Sequence, residues 1–368
     1  MLSAKAKRNI SRIIPFGIIW FVFGMIYFVT ETAATDGIVQ RPTVAIEIDL
    51  KIFIFGTMAN TIIGLFVGAA EVLYLNRIFA KKSLTRKILY KTLFYTIIMF
   101  VIIVIAYPIA TSMELNIHIL DKIVWNKLSL FLTSFTFLST VFQLAGQLGI
   151  SLFYAEISEH IGQGKLINFF TGKYHSPKVE KRIFMFLDMK SSTTIAEKLG
   201  HIKYFELLSE YYFDLSEAII KYSGEIYQYI GDEIVVSWKY KEGIENNNCI
   251  KCFFAMKESL NKRADWYNNN FGQVPTFKAG FHFGEVTAGE IGVLKKEIIF
   301  TGDVLNSTAR IQGLCNQYKN DLLISGDLIK SLNLDSEFQI KSLGKNELRG
   351  KSENIELFTI KIINVAAE

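Results

Sequence analysis

Four long apolar runs dominate the first 155 positions of the chain, and from about Arg182 onward the apolar residues instead recur at the spacings of short strands and amphipathic helices. The runs cover residues 13–30, 52–75, 92–113 and 128–155. Crossing about 30 Å of hydrocarbon takes about 20 largely apolar residues in a helix, so each run predicts a membrane span. Basic residues precede the first run, as they do in a secretory signal. That run is long, rich in aromatics and lacks a small-residue cleavage site, so it reads as a retained span. Glu71 lies near the end of the second run, where a carboxylate either snorkels to the interface or serves inside the membrane; both readings stand. The aromatic residues crowded into the first and third runs read as packing and interface anchors rather than a cofactor pocket.

Charge gives these runs a direction. Lys5, Lys7, Arg8 and Arg12 precede the first, and Arg77, Lys81, Lys82, Arg86, Lys87 and Lys91 crowd the segment between the second and third. The other two connections carry mainly Arg41, Lys51, Lys122 and Lys127, diluted by Glu31, Asp36, Glu47, Asp49, Glu114 and Asp121. The positive-inside rule then predicts an integral protein of the inner or plasma membrane, with the N-terminus, the middle loop and everything after the fourth run in the cytosol. A positive mean hydropathy over 368 residues, half of them hydrophobic, agrees. A net charge of +5, concentrated beside the runs, is too weak to indicate nucleic acid as a partner. Three cysteines, all in the polar half, make no disulfide framework and fit a reducing compartment.

The polar half begins with a connector, 156–181, in which Gly162, Gly164 and Gly172 argue against one continuous helix. Beyond it helical and strand patterns interleave, which predicts a mixed α/β domain. Strands are expected at 182–189, 225–230, 233–238, 276–283, 297–300 and 322–325, with a closing hairpin at 338–360. Helices are expected at 201–222, 246–269 and 303–314, the first of them burying Phe205, Leu208, Tyr212, Leu215 and Ile219. The predicted organisation is therefore an α-helical four-span membrane domain (1–155), a cytosolic connector (156–181) and an α+β domain (182–362).

Within the α+β domain, Asp188 and Asp232 each stand where an apolar strand meets a turn, in FLDMKSST and YIGDEIVV. A carboxylate at the end of a buried strand is costly to desolvate unless it is paired or bound to metal. Two on neighbouring strand ends suit Mg²⁺, which takes oxygen donors and keeps positions for water and phosphate. Gly-Asp is also a common hairpin tip, so the second acid has an ordinary reading as well. Lys190 to Thr193 follow the first acid where a helix should start, leaving backbone N–H groups free for a phosphate or simply for an N-cap. In FTGDVLNSTARIQ, Asp303 reads as an N-cap. Asn306 and Arg310 fall four apart on one helix face, able to hold a ribose and a phosphoryl oxygen or to form a solvated polar face.

Together, in this order and with the acids 44 positions apart, the three segments resemble the class III adenylate and guanylate cyclases over about 182–360. The resemblance implies a ferredoxin-like palm and a homodimer whose two equivalent sites are shared between chains. It implies that Asp188 and Asp232, assisted by the Met189 carbonyl, hold two Mg²⁺ or Mn²⁺ ions per site. The amides of Ser191, Ser192 and Thr193 would cradle the β- and γ-phosphates, Asn306 would orient the ribose, and Arg310 would stabilise the α-phosphoryl transition state. Arg349, with Lys351 close behind, matches a triphosphate-contacting lysine of the final hairpin, a change of geometry with the charge retained. Direct alignment of the base-reading positions gives Thr276 and Ile299. Lys278 and Thr301, each two residues later, occupy the same strand faces and would suit the edge of adenine. The implied activity is therefore conversion of ATP to 3′,5′-cyclic AMP for signal transduction, with GTP as the alternative substrate. Glu285, where some members carry a basic residue, has no reading.

Other residues do not carry chemistry on this reading. Cys249 and Cys252 have a metal-ligand spacing but no second pair, and they sit in a helical pattern, so they read as buried thiols. His160, His175 and His201 are scattered, and His282 belongs to the Gly-Phe-His-Phe-Gly turn. IGDEIVV superficially resembles the diguanylate cyclase signature, but Asn306, Arg310 and the acid spacing do not belong to that family. A non-catalytic membrane receptor with a cyclase-like domain is the alternative from a different class, and retention of both acids and of the Asn/Arg pair counts against it.

Overall fold

Long apolar helices form in the first half because nearly every side chain there can face hydrocarbon and every backbone polar group is satisfied within its own helix. The computed structural model describes residues 3–35, 44, 46–79, 84–334, 337–348 and 354–363. Among the described residues four helical stretches are long and apolar enough to cross a membrane: Ala4–Ala33, Leu50–Leu75, Leu93–Leu115 and Phe135–Ile161. The chain divides into two compact units, one of residues 6–167 and the other of residues 1–5 with 168–368.

The first unit contains α1 (Ala4–Thr35), α2 (Leu50–Ala70), α3 (Leu84–Leu115), α4 (Lys122–Leu132) and α5 (Phe135–Ile161). Its core gathers Phe16, Trp20, Val67, Tyr95, Phe131 and Leu144. Glycine lets α1 and α2 approach closely: a Cβ at Gly64 would lie 2.5 Å from Trp20. The Asn60 amide donates to the Trp20 carbonyl at 2.5 Å, and the Trp20 indole donates to Ser151 at 2.9 Å. The expected fourth span at 128–155 is not one helix. Ser134 accepts a hydrogen bond from the Phe137 N–H and starts a fresh helix, so the spanning element is α5, which ends at Gly162 (φ +89°). Glu71 does not snorkel. It is fully buried in a π-helical turn, Glu71–Leu75, ion-paired with Lys91 and accepting a hydrogen bond from the Tyr95 hydroxyl at 3.0 Å. A buried carboxylate without such partners would carry a desolvation cost of several kcal/mol.

The second unit is built on strands β1 (Lys178–Met189), β2 (Glu225–Ile230), β3 (Glu233–Lys239), β4 (Phe277–Ile291), β5 (Glu297–Thr301), β6 (Leu322–Ser325), β7 (Phe338–Glu347) and β8 (Asn354–Ile362). Its labelled helices are α6 (Ser192–Leu199), α7 (His201–Lys221), α8 (Asn248–Lys262), α9 (Ala264–Phe271) and α10 (Asp303–Gly313). The sheet order is β2-β3-β1-β4-β6-β8-β7, with β5 pairing β4, and among the described residues only the β4–β6 pair is parallel. The central strand β1 is buried on both faces. Ile183, Met185 and Leu187 pack with Leu207, Tyr211 and Leu215 of α7 and Phe253 of α8, while Phe184 and Phe186 pack with Val235, Val286 and Val304, the last from α10. That two-sided cover explains why β1 reads as a continuous apolar run rather than an alternating one.

Several sequence expectations shift in register or length. The strand expected at 276–283 continues to Ile291, because β4 pairs with β1 along its first twelve residues and with β5 along its last five. The buried stripe of α7 is Leu207, Tyr211, Leu215, Ala218 and Ile219, and Phe205 is exposed. The helix expected at 246–269 breaks at Arg263, whose guanidinium is engaged by Asp214 at 2.7 Å and Glu210 at 3.1 Å. The N-cap of α10 is Gly302, and Asp303 is its first helical residue, accepting a hydrogen bond from Ser307 at 3.2 Å.

Candidate active site

Antiparallel pairing puts three charged residues side by side at the end of β1. Asp188 stands opposite Glu233 on one flank and Lys278 on the other. The β2–β3 turn places Gly231 at φ +63°, a conformation that favours glycine, and so brings Asp232 beside this row. Asp188 and Asp232 come within hydrogen-bonding reach of each other. Burial, followed by the neighbouring Asp232, pushes the Asp188 carboxyl above its ordinary range, although the Lys278 ammonium 3.3 Å away pulls it down. Glu233 is raised by burial and then by the same two acids. The Gln312 amide donates to Asp188 at 3.4 Å, whereas Asp232 Oδ2 is buried with no hydrogen-bond partner. Two carboxylates held together, one with an orphaned oxygen, fit a divalent cation. Among the described residues no three His, Cys, Asp or Glu side chains form a cluster that could hold a metal ion.

The phosphate-loop candidates follow at once. Ser191 takes a left-handed conformation (φ +56°) in the N-cap position of α6 without capping it through its side chain, and Ser192 and Thr193 open the helix. The N–H groups of that first turn are thus available to an anion. The Met189 side chain is buried in the core, which leaves only its backbone for a ligand role. The sequence reading missed two phenols of α7. The Tyr204 hydroxyl bonds Ser192 and the Tyr212 hydroxyl donates to the Gly231 carbonyl, so one helix ties down both acid-bearing loops. Their eight-residue spacing along α7 was the available signal, hidden because Tyr212 fits an apolar stripe equally well.

Asn306 and Arg310 lie on the exposed side of α10, and neither side chain makes a hydrogen bond or ion pair among the described residues. The buried side of that helix is Val304, Ser307, Thr308, Ile311 and Gln312. Gln312, which touches Asp188, is two positions beyond Arg310, about 200° around the helix. The Asn/Arg pair therefore faces away from its own chain's Asp188.

Residues 175–362 match the family model described as the adenylate and guanylate cyclase catalytic domain. The chain belongs to this family. It is 32% identical over 212 residues to adenylate cyclase 2 of Rhizobium meliloti, covering 58% of each chain. It is 28% identical over 184 residues to an adenylate cyclase of Anabaena cylindrica, covering 48% of this chain and 36% of that one. The chain thus spans about half the length of the curated relatives it matches. A solved bacterial light-regulated adenylyl cyclase shares the fold, with a TM-score of 0.51 at 19% identity over 60% of this chain and 64% of the other.

The residues expected to read the base stand at separate places within one chain. Lys278 sits beside Asp188, while Thr301 stands opposite Thr287 of β4, nine residues further along and so about 30 Å away. The Lys278 ammonium pairs with Asp188, and its side chain is only 13% exposed. Thr276 gives its carbonyl to the Lys190 N–H at 2.8 Å, and Ile299 stands opposite Gly289. Arg349 and Lys351 lie outside the described residues. Lys190 pairs with Asp321, which also takes Lys257 at 2.7 Å; these ammonium groups outweigh burial and hold the Asp321 carboxyl below its ordinary range. Cys249 and Cys252 are core residues of α8, and burial pushes the Cys249 thiol up to about 12.

Proposed function

We propose that the chain is a membrane-anchored adenylate cyclase converting ATP to 3′,5′-cyclic AMP and pyrophosphate. The convergence of Asp188 and Asp232, with one buried carboxylate oxygen unpartnered, carries this reading. These carboxylates, with the Met189 carbonyl, would hold two Mg²⁺ or Mn²⁺ ions. When bound, such ions lower the pKa of a sugar hydroxyl and neutralise charge on a leaving pyrophosphate. The amides of Ser191, Ser192 and Thr193 receive the β- and γ-phosphates, and Arg349 and Lys351 add charge from the final hairpin. Lys278, beside the acids, balances the polyphosphate side of the site. Asn306 holds the ribose so that its 3′-hydroxyl lies in line with the α-phosphorus, and Arg310 donates to the α-phosphoryl oxygens as negative charge grows there.

Because the Asn/Arg pair turns away from its own acids, we assign it to the site of a second copy, giving a homodimer with two shared sites. The adenine assignment rests on the relatives named as adenylate cyclases. The basic flanks of the spans support a cytosolic N-terminus and cyclase domain. Full-length protein in lipid nanodiscs, incubated with ATP or GTP and Mn²⁺, provides the test. Cyclic AMP from ATP is expected; cyclic GMP alone would overturn the base assignment, and absence of any cyclic product would overturn the reading itself.

A further inference from the structure

Lys190 and Ser191 just after β1, Lys278 of β4 and the segment that follows α10 line a cavity of about 350 Å³. That segment contributes Cys315, Asn316, Lys319 and Asn320. The sheet makes them neighbours. β1 ends where β4 begins, with Asp188 opposite Lys278, and β6 starts alongside, with Leu322 opposite Ala279. The turn that feeds β6 is thereby carried to the loop that follows β1, and Lys190 pairs with Asp321, one residue before β6.

The charge of the cavity is one-sided. Three lysines line it, and none of the described lining residues is acidic. Asp188 pairs with Lys278 at 3.3 Å, and Asp321 is shared between Lys190 and Lys257. The Lys319 side chain makes no hydrogen bond or ion pair among the described residues. Four ammonium groups thus answer to two carboxylates, and like charges gathered round one space repel until an anion joins them. Neutral donors complete the set. Ser191 does not spend its hydroxyl on capping α6, and the Asn316 side chain makes no hydrogen bond among the described residues. Asn320 gives one amide proton to the Tyr318 carbonyl at 2.8 Å and keeps a second. Burial lifts the Cys315 thiol to about 12, so it adds no negative charge.

We propose that this cavity is a second anion site, taking inorganic pyrophosphate without a divalent ion. Ammonium groups from three separate segments suit an anion with charge at more than one centre. Lys190, Lys278 and Lys319 hold that charge, and the amides of Asn316 and Asn320 donate to its oxygens. The choice of pyrophosphate rests on the proposed cyclase activity, which releases that anion beside Ser191; the anion site itself stands on its lining alone. None of Asp188, Asp232, Asn306 and Arg310 is among the described residues that line the cavity, which separates it from the reacting atoms of a nucleotide. Ser191 and Lys278 belong to both places. Pyrophosphate held here draws Lys278 from Asp188 and slows the next turnover, so the product restrains the enzyme.

Equilibrium binding of radiolabelled pyrophosphate to the full chain in detergent micelles, with EDTA present, tests the site without reference to turnover. Saturable binding is expected, displaced by unlabelled pyrophosphate and far less by orthophosphate or sulfate at equal ionic strength. Lys319→Asn removes one charge and keeps a residue type that accepts the left-handed backbone found there (φ +50°). It should weaken binding on the order of tenfold, the scale of one charge-assisted hydrogen bond. Asn316→Ala, at an exposed position, should weaken it less, and thermal unfolding checks that both variants fold. Asp188→Asn should keep binding. Equal displacement by sulfate would mean diffuse attraction to a basic surface. Binding unchanged in Lys319→Asn, or lost in Asp188→Asn, would place the anion elsewhere; any of these results overturns the proposal. A chain that binds pyrophosphate at this site yet makes no cyclic nucleotide would sink the catalytic reading and keep the anion site. Cyclic AMP formed by a chain that binds no pyrophosphate would do the reverse.

Discussion

The Arg310 side chain makes no hydrogen bond or ion pair among the described residues, so its removal should cost the fold little and the reaction much. Arg310→Ala is expected to melt with the wild type and to lower turnover by about 10²–10³, the usual effect of losing a donor to transition-state charge. Turnover within about twofold of wild type would refute the role. Glu180 is the opposite kind of residue. It accepts from the Tyr174 hydroxyl at 2.7 Å, from Arg182 at 2.9 Å and from Lys173 at 3.1 Å. Burial works against its charge, yet these three bonds lower its carboxyl from the ordinary 4.5 to about 2. A lowered carboxyl contributes stability that is fully present above its unfolded value and is lost as pH falls toward its folded one. The stability gap between wild type and Glu180→Gln should therefore be widest above pH 4.5 and close by about pH 2. Thermal unfolding across that range measures it, and a constant gap would exclude the ion-pair account.

At the scale of elements, β4 and α10 set the geometry of the candidate site through one close approach. A Cβ on Gly280 would lie 2.4 Å from the backbone nitrogen of Gln312. Gly280→Ala must push α10 off the sheet, displacing Gln312 from Asp188 and moving Asn306 and Arg310 with it. We expect a loss of about 1–3 kcal/mol in stability, as for other overpacked contacts, together with a fall in turnover. Unchanged thermal unfolding and unchanged activity would show that α10 is free to adjust. The sequence made much of this assembly legible. Strand, Gly-Asp hairpin and Asn/Arg helix were predicted close to their observed positions, because each is set by local spacing. The α7 stripe was displaced because Leu207 and Leu208, like Tyr211 and Tyr212, are adjacent apolar pairs. Only contact with β1 and α8 decides which of each pair turns inward.

For the whole molecule, the decisive expectation is that two copies complete each other's sites. Asp188→Ala and Asn306→Ala chains, each inactive as homodimers, should recover activity when mixed, because one of the two shared sites then keeps both intact halves. Assays on verified mixed dimers test this, and a persistent lack of product would count against shared sites. The four apolar helices need no such partner to be recognised. Their length and composition alone mark them as long enough to span hydrocarbon.

Local physics is readable from sequence because it depends on neighbours along the chain. Hydrophobic length identified the apolar helices, and turn chemistry placed Asp188 and Asp232 at strand ends. Residue order carried the resemblance to the cyclases. What the residues face depends on neighbours in space, and only the tertiary structure decided it. Register across β1 gave Lys278 to Asp188 and set Thr301 about 30 Å away. Packing turned Glu71 inward onto Lys91 and brought Lys190, Lys278 and Lys319 round one cavity.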